Sequence, residues 1–229
     1  MPPARQSKVK VFLRSKPSEN FANDMIEYGS DNKTVNIYNK RNALQGYVNN
    51  QIQDWSFKVD GILHNVSQDK VYDSVVKDIT LKTLDGYNGT VLCYGQTGAG
   101  KTFSMTGATE NYQQRGIIPR TIQHLFKEIN NHQDRTFSVR IGYLEIYNEQ
   151  LIDLLSTIPM DNFKGDATNP GLSIYDDRGD VFVKGLTYQL ASTEEEALNF
   201  LFEVSVIFFD GLKFDYLDLP VFVKPRLRA

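Results

Sequence analysis

Eight residues constrain this chain more than any others: Gly95-Gln96-Thr97-Gly98-Ala99-Gly100-Lys101-Thr102 satisfies the pattern G-x-x-x-x-G-K-[ST] in full. The motif follows a short apolar run, Thr90 to Tyr94, and precedes a segment of helical character from Lys101 onward. That is the strand, turn and helix setting the pattern requires. Glycines let the backbone approach an anion closely, and successive N–H groups and the helix N-terminus face it. Lys101 adds a point charge at the β and γ phosphates, and Thr102 offers a hydroxyl ligand for Mg²⁺. A turn without a ligand explains neither Lys101 nor Thr102, so the expectation is a nucleoside triphosphate site.

Composition narrows the setting. Of 229 residues, 41% are hydrophobic and 23% charged, enough apolar material for one sizeable core. Acidic residues outnumber basic ones, 28 to 25, so no global positive field favours nucleic acid. No run of about 18 apolar residues reads as a membrane span, and the basic N-terminal residues lack a signal-peptide core. The chain is therefore expected to be soluble and intracellular. The single cysteine, Cys93, sits among apolar neighbours and is expected as a buried core thiol in a reducing compartment.

Along the chain, short β-rich runs alternate with helical patterns, the sign of an α/β layer fold. Val9 to Arg14 reads as a first strand, and Ile26 to Tyr28 with Thr34 to Ile37 as a hairpin around Gly29-Ser30-Asp31-Asn32. Trp55 to Val59 alternates as a half-buried strand does. Ser67 caps a helix with Val71, Tyr72, Val75, Val76, Ile79 and Leu84 inward, ended by Gly86. Beyond a polar break at Asn111 to Gly116, Pro119 opens a helix to about Asn130 that buries Ile122, Leu125, Phe126 and Ile129. Phe137 to Tyr147 is the longest β-rich run, and Leu151, Leu154 and Leu155 read as a short helix before a loop from Pro159 to Gly171. Leu172 to Tyr175 and Val181 to Leu186 form a second hairpin. Ser192 with Glu195 is a capping-box pattern for a last helix with Ala197, Leu198, Leu201 and Phe202 inward.

Other acidic and histidine residues carry weaker signals. The D-x-x-G at Asp176-Asp177-Arg178-Gly179 lies between alternating strands and reads as a solvent-facing hairpin turn. Glu145 and Glu149 flank Tyr147, but strand alternation assigns them structural roles rather than an acid/base pair. His64, His124, His132 and Cys93 show no metal-ligand spacing, so no metal beyond Mg²⁺ is indicated. No catalytic residue is assigned.

Three ordered motifs resemble a kinesin motor domain: Arg14-Ser15-Lys16-Pro17, the loop from Tyr94 to Thr102, and Tyr143-Leu144-Glu145-Ile146-Tyr147-Asn148-Glu149. Asp153-Leu154-Leu155 and Val183-Lys184-Gly185-Leu186-Thr187 extend the resemblance over roughly Val9 to Glu203. The run from Gly107 to Tyr112 with Arg115-Gly116-Ile117 looks most like the kinesin-nine subgroup of motile cilia and flagella. The resemblance implies a P-loop NTPase kinesin-motor fold, a central, mostly parallel sheet flanked by helices. It further implies Mg-ATP as the ligand and microtubules (tubulin) as the partner, with no membrane or nucleic-acid partner. The implied location is the cytoplasm and cytoskeleton, including the cilium or flagellar axoneme. Matching positions place adenine between Arg14, Pro17 and Phe103. Lys16 stands where many members have arginine, which keeps the charge but loses planar stacking.

After Leu201-Phe202-Glu203 the resemblance stops. The family's first switch, around Asn-Arg and Ser-Ser-Arg-Ser-His, and its second, Asp-Leu-Ala-Gly-Ser-Glu, occur nowhere in the 229 residues. The expected organisation is an N-terminal motor portion at 1–203, truncated before the switch elements and the main microtubule-binding helices, then a divergent hydrophobic tail at 204–229. Hydrolysis by such a chain is not expected. Two other readings remain open: a non-hydrolysing short form that acts as an interaction module, and an unrelated P-loop enzyme such as a small kinase.

Overall fold

The computed structural model describes residues 9–38, 54–108, 111–132, 136–156, 172–177 and 180–209. It divides into two compact units, Met1–Ser67 and Gln68–Ala229. The expected loop from Pro159 to Gly171, the turn at Arg178-Gly179 and most of the proposed tail lie outside the described residues.

In the first unit, β1 (Phe12–Arg14) is shorter than the run from Val9 predicted. A three-stranded antiparallel sheet follows, β2 (Ile26–Tyr28), β3 (Thr34–Tyr38) and β4 (Asp54–Lys58), and β5 (Gly61–Leu63) returns to pair in parallel with β1. The expected hairpin forms because Asp31 organises its turn. One carboxylate oxygen accepts from the backbone N–H groups of Lys33 and Thr34, both at 2.9 Å, and the other accepts the Thr34 hydroxyl at 2.7 Å. Asn32 takes the left-handed φ of 54° that Asn tolerates. Trp55 and Phe57 lie across from Ile37 and Val35, so they share an apolar face with the buried Val35. Both are nevertheless exposed, because β4 lies at the edge of this sheet.

The second unit begins with α1 (Gln68–Val75) and α2 (Lys77–Leu84), two helices where the periodicity predicted one. Val76 joins them with helical hydrogen bonds on both sides, but its carbonyl accepts from both the backbone N–H and the hydroxyl of Thr80. Such side-chain competition bends helices. Gly86, at φ 91°, ends α2 as predicted: its N–H reaches Thr83 O and that of Tyr87 reaches Lys82 O, the paired bonds of a Schellman cap. Next come α3 (Lys101–Met105), a 3₁₀ turn at Tyr112–Gln114 and the long α4 (Ile117–Asn131). As expected, α4 buries Ile122, Leu125 and Phe126, with Ile129 partly buried.

The β-rich run divides into β6 (Val139–Ile141) and β7 (Leu144–Tyr147), and the predicted helix after it is instead β8 (Gln150–Asp153). The cause is Asn148-Glu149. Their φ values of 47° and 64° form a two-residue turn of the twist that hairpins favour, setting Tyr147 opposite Gln150. The second hairpin, β9 (Ser173–Asp177) with β10 (Asp180–Lys184), forms as predicted. Then β11 (Gln189–Ala191) pairs antiparallel with β6, and α5 (Glu194–Phe209) closes the described chain. Its cap lies one residue later than expected: Thr193 Oγ1 accepts the Glu196 N–H, and the Glu196 carboxylate reaches back to the Ser192 N–H at 2.7 Å. The core joins α4 to Leu84, Val139, Ile141, Tyr143, Ala191, Ala197, Leu198 and Leu201. Each fully buried aliphatic side chain there contributes about 1.5–3 kcal/mol.

Candidate functional site

The apolar run feeding the phosphate loop is not a strand. Thr90, Leu92 and Tyr94 are exposed while Val91 and Cys93 are half-buried, so the alternation of an extended chain persists. Among the described residues no strand hydrogen-bonds to it, and a strand exists only through its ladder. Tyr94 is 97% exposed for the same reason. Cys93 is consequently half-buried, not the buried core thiol expected.

Within the loop, Gly98 and Gly100 hold left-handed φ values of 79° and 96°, which any other residue adopts only under strain. An ideal Cβ on either would meet nothing within 4 Å. The glycines are thus required by backbone conformation, and the space beside both is open. Ala99 N–H donates to Gln96 O at 3.1 Å, closing the turn. Lys101 Nζ curls back to donate to Gly95 O at 2.7 Å and Gln96 O at 3.3 Å. Its charge is held against the loop by the loop's own carbonyls, where an entering phosphate would compete for the same N–H donors. Such an anion contact is charge-assisted on both sides, stronger than lysine to a neutral carbonyl. Thr97, Thr102 and the Phe103 ring are exposed. Because α3 has only five residues, the loop amides and Lys101, rather than a long helix dipole, carry the attraction. This donor set and the open space beside the two glycines fit a phosphate chain.

Arg14 ends β1, half-buried, and Pro17 is exposed three residues later, both in the first unit. Beside them Ser15 Oγ lies 2.6 Å from His64 Nδ1. Phe103 belongs to α3 in the second unit, and its carbonyl accepts from the Gln68 side-chain amide at 2.8 Å.

The weaker candidates are not brought together. Asp176 and Asp177 are exposed on β9. Glu145 is buried opposite Ile152, its Oε1 has no partner among the described residues, and burial raises its pKa. Glu149 sits in the tight turn beyond. His124 Nδ1 lies 2.8 Å from the Tyr72 hydroxyl and its Nε2 3.5 Å from Glu128. Gln68 and Arg120, which organise the surroundings of α3, carried no signal in the sequence. Gln68 meets backbone carbonyls 35 and 46 residues away, and Arg120 joins Asp69 to two nearby turn carbonyls, links that no local pattern marks.

Residues 14–205 match the family model of the kinesin motor domain. The mouse kinesin-like protein KIF9 is 52% identical over 198 residues, 86% of this chain and 25% of that protein. The Chlamydomonas reinhardtii kinesin-like protein KLP1 is 41% identical over 191 residues, 83% of this chain and 24% of that protein. The chain thus spans about a quarter of the length of these relatives. Its mixed helices and sheets, with β1 and β5 in parallel, are consistent with the P-loop NTPase fold of the family. On the extent of that match and the strength of those identities, this chain belongs to the kinesin motor-domain family.

Proposed function

We infer that residues 95–102 bind Mg-ATP and that the protein to which this chain belongs is a microtubule motor. The observation that carries the reading is the pair of left-handed glycines, Gly98 and Gly100, with open space beside both and Lys101 Nζ held over the same loop. The assigned contacts are the loop from Gly95 to Lys101 for the phosphates, Thr102 for Mg²⁺, and Arg14, Pro17 and Phe103 for adenine. A Mg²⁺ held there would offset phosphate charge. Residues 1–203 are taken as the motor-domain portion, supported by the family match at 14–205. Helix α5 crosses the proposed boundary and runs to Phe209. Binding, rather than turnover, is assigned to these 229 residues, because neither switch motif occurs in them. The proposed location is the cytoskeleton, including that of cilia. Among the described residues no helix is long and apolar enough to cross a membrane.

Titration with the fluorescent nucleotide mant-ATP and Mg²⁺ tests the reading. Saturable binding is expected for the chain and at least tenfold weaker binding for Lys101→Ala, since a charged hydrogen bond is worth about 1.5–3 kcal/mol. Equal affinities would remove Lys101 from the site. Microtubule-stimulated phosphate release is not expected.

A second reading, as an interaction module, is favoured by one observation. Ile174, Tyr175, Val181 and Phe182 are all exposed on the β9–β10 hairpin, where Tyr175 and Phe182 stack at 5.7 Å. Nucleotide-independent co-sedimentation with microtubules, lost on Phe182→Ser, would support it.

A further inference from the structure

We propose that Gln68 is a positioning residue that sets where α3, and with it the phosphate loop, sits; this rests on the nucleotide reading of residues 95–102. The need arises at the end of α3. Both Thr106 N–H and Gly107 N–H bond to Thr102 O, at 2.8 and 3.1 Å. In a continuing helix Gly107 N–H would meet Phe103 O, and here it bonds to Thr102 O instead, as happens where a helix stops. The Gln68 side chain meets the Phe103 carbonyl: Nε2 donates to Phe103 O at 2.8 Å and to Gln114 O at 3.1 Å, 35 and 46 residues away in the chain. Gln68 is only 5% exposed, so no bulk water competes for those donors.

The second carbonyl belongs to a turn that is itself fixed. Arg120 on α4 is 9% exposed and donates from Nε to Arg115 O at 2.8 Å and from Nη2 to Gln113 O at 3.0 Å, while its other nitrogen pairs with Asp69. The strands of chain on either side of this turn run backbone against backbone. Gly107 bridges Arg115, Gly116 N–H donates to Thr106 O at 2.9 Å, and a Cβ on Gly107 or Gly116 would collide with the opposing main chain. The turn at 113–115 is therefore anchored on α1 and α4, and the Gln68 amide adds a side-chain link to the backbone bonds that tie the end of α3 to it. α3 begins at Lys101, so its placement is the placement of Lys101 and Thr102. The hydrogen bonds of Arg120 hold the turn and α1, and those of Gln68 span the turn and α3.

The test compares the full chain with Gln68→Met, which keeps length and apolar stem but removes both N–H donors, and Gln68→Lys, which restores donors. Hydrogen exchange without nucleotide is read at Ser104 in α3, at Thr106 in its C-cap, and at Leu125 and Ile141 in the core. Gln68→Met is expected to speed α3 exchange at least tenfold, with core amides within twofold, and to weaken mant-ATP binding at least fivefold. Gln68→Lys is expected to recover most of both. Unchanged α3 exchange overturns the proposal. So does an unfolded Gln68→Met chain, or acceleration spread equally to the core, since either makes Gln68 purely structural. If the unaltered chain binds no mant-ATP, the nucleotide reading fails, and the ligand-free exchange still decides the role of Gln68.

Discussion

Two residues with unusual backbone or charge illustrate how local chemistry is used. Gly100 precedes the helix that carries Lys101, at φ 96°. Gly100→Ala is expected to cost about 1–2 kcal/mol of stability from the left-handed conformation alone. It also puts a methyl group into the open space assigned to phosphate, so mant-ATP affinity is expected to fall further than thermal unfolding accounts for; parallel titration and melting curves separate the two. Asp31 is held near a pKa of about 2, first by the Lys33 N–H and then by the hydroxyl and N–H of Thr34. A depressed folded value means the turn's stabilisation is complete above the ordinary value of 3.8 and is lost as pH falls through about 2. The Thr34 amide shift in an NMR titration is therefore expected to stay constant down to about pH 4 and move below it, and Asp31→Ala is expected to abolish that movement.

At the scale of elements, amphipathic periodicity and end signals located α4 and the end of α2 well, because a helix carries its own hydrogen bonds and its buried stripe. The hairpins β2–β3 and β9–β10 were legible for the same local reason. Where partners matter, legibility failed. The β7–β8 hairpin was hidden because Glu149 is not a usual left-handed residue, so the turn has half a signature. The run from Thr90 to Tyr94 has strand composition but pairs with no strand among the described residues. Two substitutions probe the elements that hold the second unit. Leu125→Ala, at 2% exposure in the centre of the core, is expected to destabilise by about 2–5 kcal/mol in denaturant unfolding. Thr193→Ala removes the cap of α5 and is expected to cost about 0.5–2 kcal/mol, with faster exchange confined to its first turn.

For the molecule as a whole, the nucleotide binding proposed at residues 95–102 would add to stability by mass action. Mg-ATP at a hundredfold its Kd is expected to stabilise the chain by about 2.7 kcal/mol, read as a raised melting temperature that Lys101→Ala loses at the same ligand concentration. The sequence by itself determined the family, the glycine-rich motif proposed to bind phosphate and the type of most elements, since motifs, periodicities and turn residues act over a few positions. Tertiary structure alone decided which donors meet which carbonyls. It curled Lys101 onto Gly95 and Gln96, brought the Gln68 amide to the Phe103 carbonyl of α3, and, among the described residues, set no strand beside Tyr94. The Gln68 bonds join groups 35 and 46 residues apart, and even the short reach of Lys101 is a matter of hydrogen-bond satisfaction, which, unlike residue spacing, is set only once the chain has folded.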